Sequence, residues 1–315
     1  MKRILVISYS QTGQLHNITQ SITAPLEDDK GIELTHLKLE SEKSFPFPWP
    51  FWTFFDTFPE TVALQPAPLK PFTLEPAEFD LVILAYQVWF LSPAMPITAF
   101  LQSTQGRLVL KDTPVITVIA CRNMWLMAQE RVKEMLANAQ AKLIDNVVFT
   151  DKGSALATFI TTPRWMLTGK RDAFLGFPRA GIDDETIAQA SRFGRAISQG
   201  FKQQANKIDQ PLLSGLQAVE VDERLIASEK VGLRSFRVWS KLLRLVGKPG
   251  DFPRRCLLFI YILFLVSLIL TIVPLSMLLR KLLRPLQKNS LLRQKSYYEA
   301  PSGSGKERMK DFMDA

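Results

Sequence analysis

The chain has 315 residues, two cysteines (Cys121, Cys256) and two histidines (His16, His36), which excludes a disulfide framework, a four-cysteine zinc site and a histidine-rich metal centre. Its net charge of +9 is uneven: residues 1–229 carry 22 basic and 25 acidic side chains, residues 230–315 carry 17 and 5. The positive charge sits with the longest apolar run, which favours a membrane partner and argues against nucleic acid.

Residues 1–204 read as an α/β domain in which strands alternate with helices. Ile4–Ser8 is an apolar run suited to a buried parallel strand, and Gly13–Ala24 has helical spacing that stops at Pro25. Ile32–Leu39 is a second strand, Phe79–Tyr86 a third, Pro114–Cys121 a fourth and Lys142–Thr150 a fifth. Helices are expected over Pro96–Ser103, Met127–Ala141 and Asp183–Gln204. Near-continuous apolar strands in β-α alternation imply a parallel sheet covered on both faces. Ligands on such sheets bind beyond the carboxyl ends of the strands.

Three loops lie there. The first, Ser8–Gln14, reads SYSQTGQ. It lacks the lysine of a nucleoside-triphosphate loop and the three-glycine dinucleotide pattern. Ser10 and Thr12 supply hydroxyls, Gly13 allows close approach, and a helix N-terminus follows, which suits a phosphate monoester. The same residues also suit an ordinary helix cap. The second loop, after strand three, holds Gln87, Val88, Trp89 and Phe90. Its aromatics suit stacking on a flat ring, or simply cover the sheet edge. The third holds Cys121, Arg122 and Asn123, donors for the polar edge of such a ring. Phosphate donors, an aromatic plate and polar-edge donors at one end of a sheet fit FMN.

Between strands two and three, residues 44–76 form an insertion. Phe45, Phe47, Trp49, Phe51, Trp52, Phe54, Phe55 and Phe58 crowd into it together with eight prolines. Proline keeps it out of a central strand. So much aromatic surface is expected to line a greasy pocket, touch a bilayer or close the core as a lid. Arg164, Lys170 and Arg171 are candidates for an acidic headgroup, a cofactor phosphate or membrane lipid.

Residues 205–255 read as a linker and a basic amphipathic helix. Gly232, Phe236, Trp239, Leu243 and Val246 recur at helical spacing, with Arg234, Arg237, Lys241 and Arg244 between them. Cys256–Leu279 carries no charged side chain; as a helix it extends roughly 36 Å, enough to span a bilayer. Residues 236–255 and 280–299 carry six Lys/Arg each, so the positive-inside count ties. The tie is compatible with a single span, the favoured reading, or with a helix that dips in and returns near Pro274. The short apolar run after Met1–Lys2–Arg3 does not make a signal peptide. The expected location is the cell membrane, single-pass, with the N-terminal domain cytoplasmic. Residues 280–315, with PSGSG at 301–305, are expected to be a basic, largely disordered tail.

ILVISYSQTGQ resembles the phosphate loop of the flavodoxin-like family, with Gln14 and Leu15 where Asn-Thr is usual. FDLVILAYQVWFLSPAMPITAFL resembles the second flavin loop of its NAD(P)H-dependent reductase branch, with Ala85 where glycine is usual. The resemblance covers about residues 1–204. It implies a five-stranded parallel sheet of order 2-1-3-4-5 and an FMN site at Ser10, Gln11, Thr12, Gly13, Gln14, Leu15, Gln87, Val88, Trp89, Phe90, Cys121, Arg122 and Asn123. SYSQTGQL with PFPWPFWTFFDTFPE is similar to the flavodoxin-like proteins of dialkylresorcinol biosynthesis, often labelled condensing enzymes. That likeness implies oxidation of a cyclohexanedione to a resorcinol, an aromatase step, beside a ketosynthase-like partner. The chain has no Cys-His-Asn or Cys-His-His set for condensation itself. Asp56, among aromatics, is the expected base, with Glu60 nearby, and Arg122 would meet a developing enolate. Two other readings stay open: an NAD(P)H-dependent quinone reductase or electron carrier, and a non-enzymatic membrane adaptor. A homodimer is also left open.

Overall fold

The computed structural model describes residues 1–74, 78–203 and 208–313, without the side chains of 155, 156 and 272–287. Five parallel strands form the central sheet: β1 (Lys2–Ser8), β2 (Ile32–Lys38), β3 (Leu81–Trp89), β5 (Pro114–Cys121) and β6 (Lys142–Thr150). Their order is β2-β1-β3-β5-β6, the flavodoxin-like arrangement. Ile4–Ile7, Leu81–Tyr86 and Val115–Ile119 are buried, because helices cover both faces. A two-residue strand, β4 (Ser92–Pro93), turns back antiparallel on the end of β3.

Helix α1 (Gln14–Glu27) runs through Pro25 rather than stopping at it. In a last turn, the missing N–H of proline costs one hydrogen bond and no continuation. Helix α2 (Phe51–Val62) lies inside the proline-rich insertion. Pro50 is its N-cap and Pro59 falls in its last turn, so the prolines that exclude a strand frame a helix. Helices α3 (Met95–Gln102), α4 (Thr104–Leu110), α5 (Leu126–Asn138), α6 (Ala155–Thr168), α7 (Asp184–Ala188) and α8 (Ser191–Gln203) complete the layers. Gly194 of α8 packs against the Ile22 carbonyl of α1 too closely for any side chain.

The chain beyond 203 departs most from expectation. Residue 204, the expected domain end, and residues 205–207 lie outside the described residues. The expected linker is core: Ile208, Leu212, Leu213, Leu216, Val219 and Val221 are buried with the sheet. The Val148 N–H of β6 donates to the Ala218 carbonyl (2.9 Å), so this segment covers the β6 edge. Helix α9 (Glu223–Val246) packs on α2 and α5. Its Phe236, Trp239 and Leu243 join an aromatic and aliphatic cluster with Phe58 and Val62. The stripe expected to face a membrane therefore faces protein, while Val231, Val238, Leu242 and Leu245 are exposed among the arginines and lysines.

Helix α10 (Phe252–Glu299) begins against α2 and α9. Tyr261 stacks on Phe58 with centroids 4.6 Å apart and meets Trp239 at 5.3 Å. It also ends against α9 and α5: Lys230 Nζ of α9 donates to Gln294 Oε1 (2.6 Å), and the Tyr297 hydroxyl donates to Glu130 of α5 (2.7 Å). A straight helix would separate Tyr261 from Gln294 by roughly 50 Å, yet their partners Trp239 and Lys230 are only about 14 Å apart along α9. Helix α10 therefore doubles back. The tail after it is docked, not disordered. Asn146 N–H donates to the Ser302 hydroxyl (2.8 Å), which donates to buried Asp145 (2.6 Å). Val219 N–H donates to the Gly303 carbonyl (3.1 Å), and Phe312 of α11 (Met309–Phe312) is buried. A run of small residues that lowers hydrophobicity also lets backbone approach backbone, and here the second property decides.

Candidate active site

The loops after β1, β3 and β5 meet, as the parallel sheet requires, and enclose a cavity of about 200 Å³. Gln11, Thr12, Gln14, Leu15, Gln87, Val88, Trp89, Phe90, Cys121 and Arg122 line it. Ser10 and Gly13 stand beside it in the first loop. Asn123 is the next residue after Arg122, and its side-chain oxygen is buried with no hydrogen-bond partner. Ten of the thirteen residues expected at a flavin site therefore line one cavity.

The first loop ends on Gly13, the N-cap of α1, at φ 81. Gly13 has no side chain to cap the helix, so apart from the His16 N–H the first turn presents its N–H groups and the positive end of its dipole to the loop. Ser10 Oγ accepts from His16 N–H (3.3 Å). Gln11 ties the loop to its surroundings: its N–H donates to Gln87 Oε1 (3.0 Å), and its amide accepts from the Trp49 indole (2.9 Å) and donates to the Pro46 carbonyl (2.9 Å). Gln14 has a structural use. Its amide exchanges two hydrogen bonds with the backbone of Ile182 (2.8 and 3.1 Å).

The second loop is a tight hairpin. Phe90 and Leu91 turn it at φ 48 and 59, a left-handed conformation that bulky residues rarely adopt. The turn aims Phe90 at the insertion, 5.0 Å from Phe54 and 5.3 Å from Phe58 between centroids. Trp89 is enclosed by Tyr9 (5.7 Å), Phe45 (5.0 Å) and Trp49 (5.4 Å). The insertion is therefore an aromatic wall of this cavity.

In the third loop, Arg122 Nε donates to Thr158 Oγ1 (2.9 Å), and its guanidinium lies 3.9 Å from the Phe159 ring centroid. Burial brings the guanidinium down to about 10, against the pull of Asp151, so it stays cationic at neutral pH. Burial pushes the Cys121 thiol well up, which keeps it protonated and a poor nucleophile. A fourth wall was missed. Asp151, Trp165 and Gly181 close the cavity from α6 and the loop after it. Asp151 accepts from Gly153 N–H (2.8 Å) and Gly181 N–H (2.7 Å). Its position directly after β6 was the available signal, because that strand end points the same way as the other three.

Asp56 is not in this cavity. It pairs with Arg254 Nε (2.6 Å) and accepts from Gly250 N–H (2.8 Å). Glu60 takes the other face of the same guanidinium (2.6 and 2.8 Å). Both oxygens of Asp56 are committed to the root of α10, so Asp56 acts there as a clasp, away from the cavity at the strand ends. Asp56 and Arg122 line different spaces. Asp56 borders a second cavity of about 670 Å³, with Phe45, Trp52, Met95, Arg255 and Leu258. Phe45 lines this space and touches Trp89 of the first, and Pro46 lines it while accepting from Gln11 of the first. Arg164 and Arg171 are spent on their own loop: Arg164 donates to the Asp172 carbonyl (2.8 Å), Arg171 to those of Ala180 and Ile182 (2.8 Å each).

Glu229 of α9 is fully buried beneath the third loop. It accepts from Met127 N–H (3.1 Å) at the start of α5, a helix with no cap of its own. Burial pushes its carboxyl up to about 8, although the N–H groups of residues 125–127 oppose this. The folded chain thus holds a proton that the unfolded chain releases near pH 4.5. Stability from this group is complete below that value and falls as pH rises to about 8, by about 3–5 kcal/mol in all. Glu229→Gln is expected to flatten this fall and to be the more stable protein at pH 8, read by thermal melts across pH 5–9. A melt of the variant that tracks wild type at every pH would contradict it.

No family model matches the chain, and no curated protein matches it. Among solved structures it is similar to a flavoprotein from Lactobacillus acidophilus NCFM in complex with FMN (16% identity, 47% of this chain and 93% of that one, TM-score 0.38). It is also similar to a flavodoxin from the domain Archaea (10%, 64% and 99%, 0.35) and to a flavone reductase (16%, 67% and 66%, 0.36). At such identities and scores the likeness carries over neither cofactor nor activity.

Proposed function

We propose that the chain is a membrane-attached, FMN-dependent oxidoreductase that dehydrogenates a hydrophobic ring, a dialkylcyclohexanedione, to a dialkylresorcinol. The observation that carries this reading is the meeting of an uncapped helix N-terminus, an aromatic plate and a buried cation in one cavity at the strand ends. The residues fit FMN at both its ends. The N–H groups of the first turn of α1, with Ser10 and Thr12, suit a phosphate monoester. Arg122, which lines the cavity, suits the polar edge of the ring. Trp89 and Phe90 supply apolar faces between them. The enclosed space is below the roughly 300–1,000 Å³ usual for small molecules, so the ring also needs the Phe45–Trp49 stretch to yield.

Bound FMN would supply a two-electron acceptor. The chain supplies the rest. Arg122, cationic beside the ring site, stabilises enolate charge on a dione. Asp151 replaces Asp56 as candidate proton acceptor, because it lines the same cavity as Arg122. The second cavity is lined by charged residues as well, but Phe45, Trp52, Met95 and Leu258 offer apolar surface to alkyl chains. Membrane attachment rests on α10: Phe252–Thr271 is long and apolar enough to cross a bilayer. A ketosynthase-like enzyme that makes the dione belongs to the same proposal. Anaerobic mixing of the flavin-loaded protein with a dialkylcyclohexanedione should bleach the flavin absorbance. Bleaching by NAD(P)H and not by the dione would favour the quinone-reductase reading instead.

A further inference from the structure

Exposed apolar side chains line one side of the first half of α10: Phe259, Ile260, Leu263, Val266 and Leu270. The opposite side packs on the protein through Leu258, Tyr261 and Ile262. The sequence stays free of charge to Leu279, and water is a poor neighbour for the exposed apolar side of residues 259–270. The path of the chain decides how a bilayer would be met. Tyr298 and Glu299 are buried on the α/β domain, and Ser302 is bonded to Asp145 beside the sheet edge. The tail is therefore on the same side as the domain. Had the apolar run crossed, the chain would need a second span to return. Residues 280–299 carry six Lys/Arg and cannot supply one.

We propose, resting on the membrane attachment argued above, that α10 enters and leaves one leaflet of an anionic bilayer from the side of the α/β domain. The protein is then monotopic, with both termini in one compartment. In that arrangement the cations flanking the apolar run, the buried Arg254 aside, meet a single headgroup layer. Cations on both flanks, uninformative for a span, suit a same-side entry and exit. Charge complementarity selects anionic lipid: residues 230–315 carry 17 basic and 5 acidic side chains, and each cation near such a surface adds about 1 kcal/mol. Trp52, Arg255 and Leu258, at or beside the root of α10, help line the second cavity, which sets it next to the segment that enters the leaflet.

The test uses the full chain in sealed membrane vesicles from expressing cells, in a Cys256→Ser background. Leu175→Cys reports on the α/β domain and Met313→Cys on the tail; both positions are exposed. A membrane-impermeant maleimide should label both variants from the same face, to within about twofold, before any permeabilisation. Labelling of the tail only after permeabilisation, while the domain labels before it, would overturn the proposal and restore a single span. Release of the wild-type chain by an alkaline wash without detergent would remove the membrane reading itself.

Discussion

Gly13→Asp should weaken FMN binding at least about 100-fold, or roughly 2.7 kcal/mol, while leaving riboflavin binding and the fold intact. Gly13 is the N-cap of α1, and no side chain occupies that role. Aspartate is a preferred cap, and its carboxylate would take the N–H groups of the first turn that the phosphate needs. It would also set a negative charge where the phosphate sits. Two facts keep the variant folded. Aspartate tolerates the left-handed backbone better than most residues, and a Cβ at Gly13 meets no atom within 4 Å. Flavin fluorescence titration reads the effect. FMN affinity within a few-fold of wild type would show that the loop is an ordinary helix start.

The second large effect is expected at Arg254. Its side chain is fully buried, bonded to Asp56 and to both oxygens of Glu60, and it also donates to the Gly247 and Asp56 carbonyls. Arg254→Met leaves two carboxylates facing each other with their cation gone. Breaking such a cluster on one side costs about 3–5 kcal/mol, chiefly as uncompensated charge. Thermal unfolding in detergent should show that loss. The triple variant Arg254→Met, Asp56→Asn, Glu60→Gln should recover much of it, because it removes the stranded charges as well. Equal melting of single and triple variants would mean that lost packing, not charge, sets the cost.

Much of the fold was legible because buried parallel strands write themselves as apolar runs. Ile4–Ser8, Phe79–Tyr86 and Pro114–Cys121 each fall on an observed strand, and their ends locate three of the four walls of the cavity. What was not legible depends on distant partners. Asp56 among aromatics looks like a candidate base until Arg254, far along the chain, is found against it. Gly-Ser composition at 302–305 looks disordered until Asp145 supplies an acceptor for Ser302. Helix α2 hid behind prolines whose positions, not their number, decide what they forbid. The reversal of α10 left a trace in the tied count of flanking cations, which a single-span reading could not use.

The central claim is that the cavity under Ser10–Gln14, Trp89 and Arg122 is a flavin site, and its most direct test is the visible spectrum of the detergent-purified full chain. The expected result is a flavin absorbance near one equivalent per chain, identified as FMN once the protein is denatured. A colourless protein that also fails to take up added FMN would contradict it.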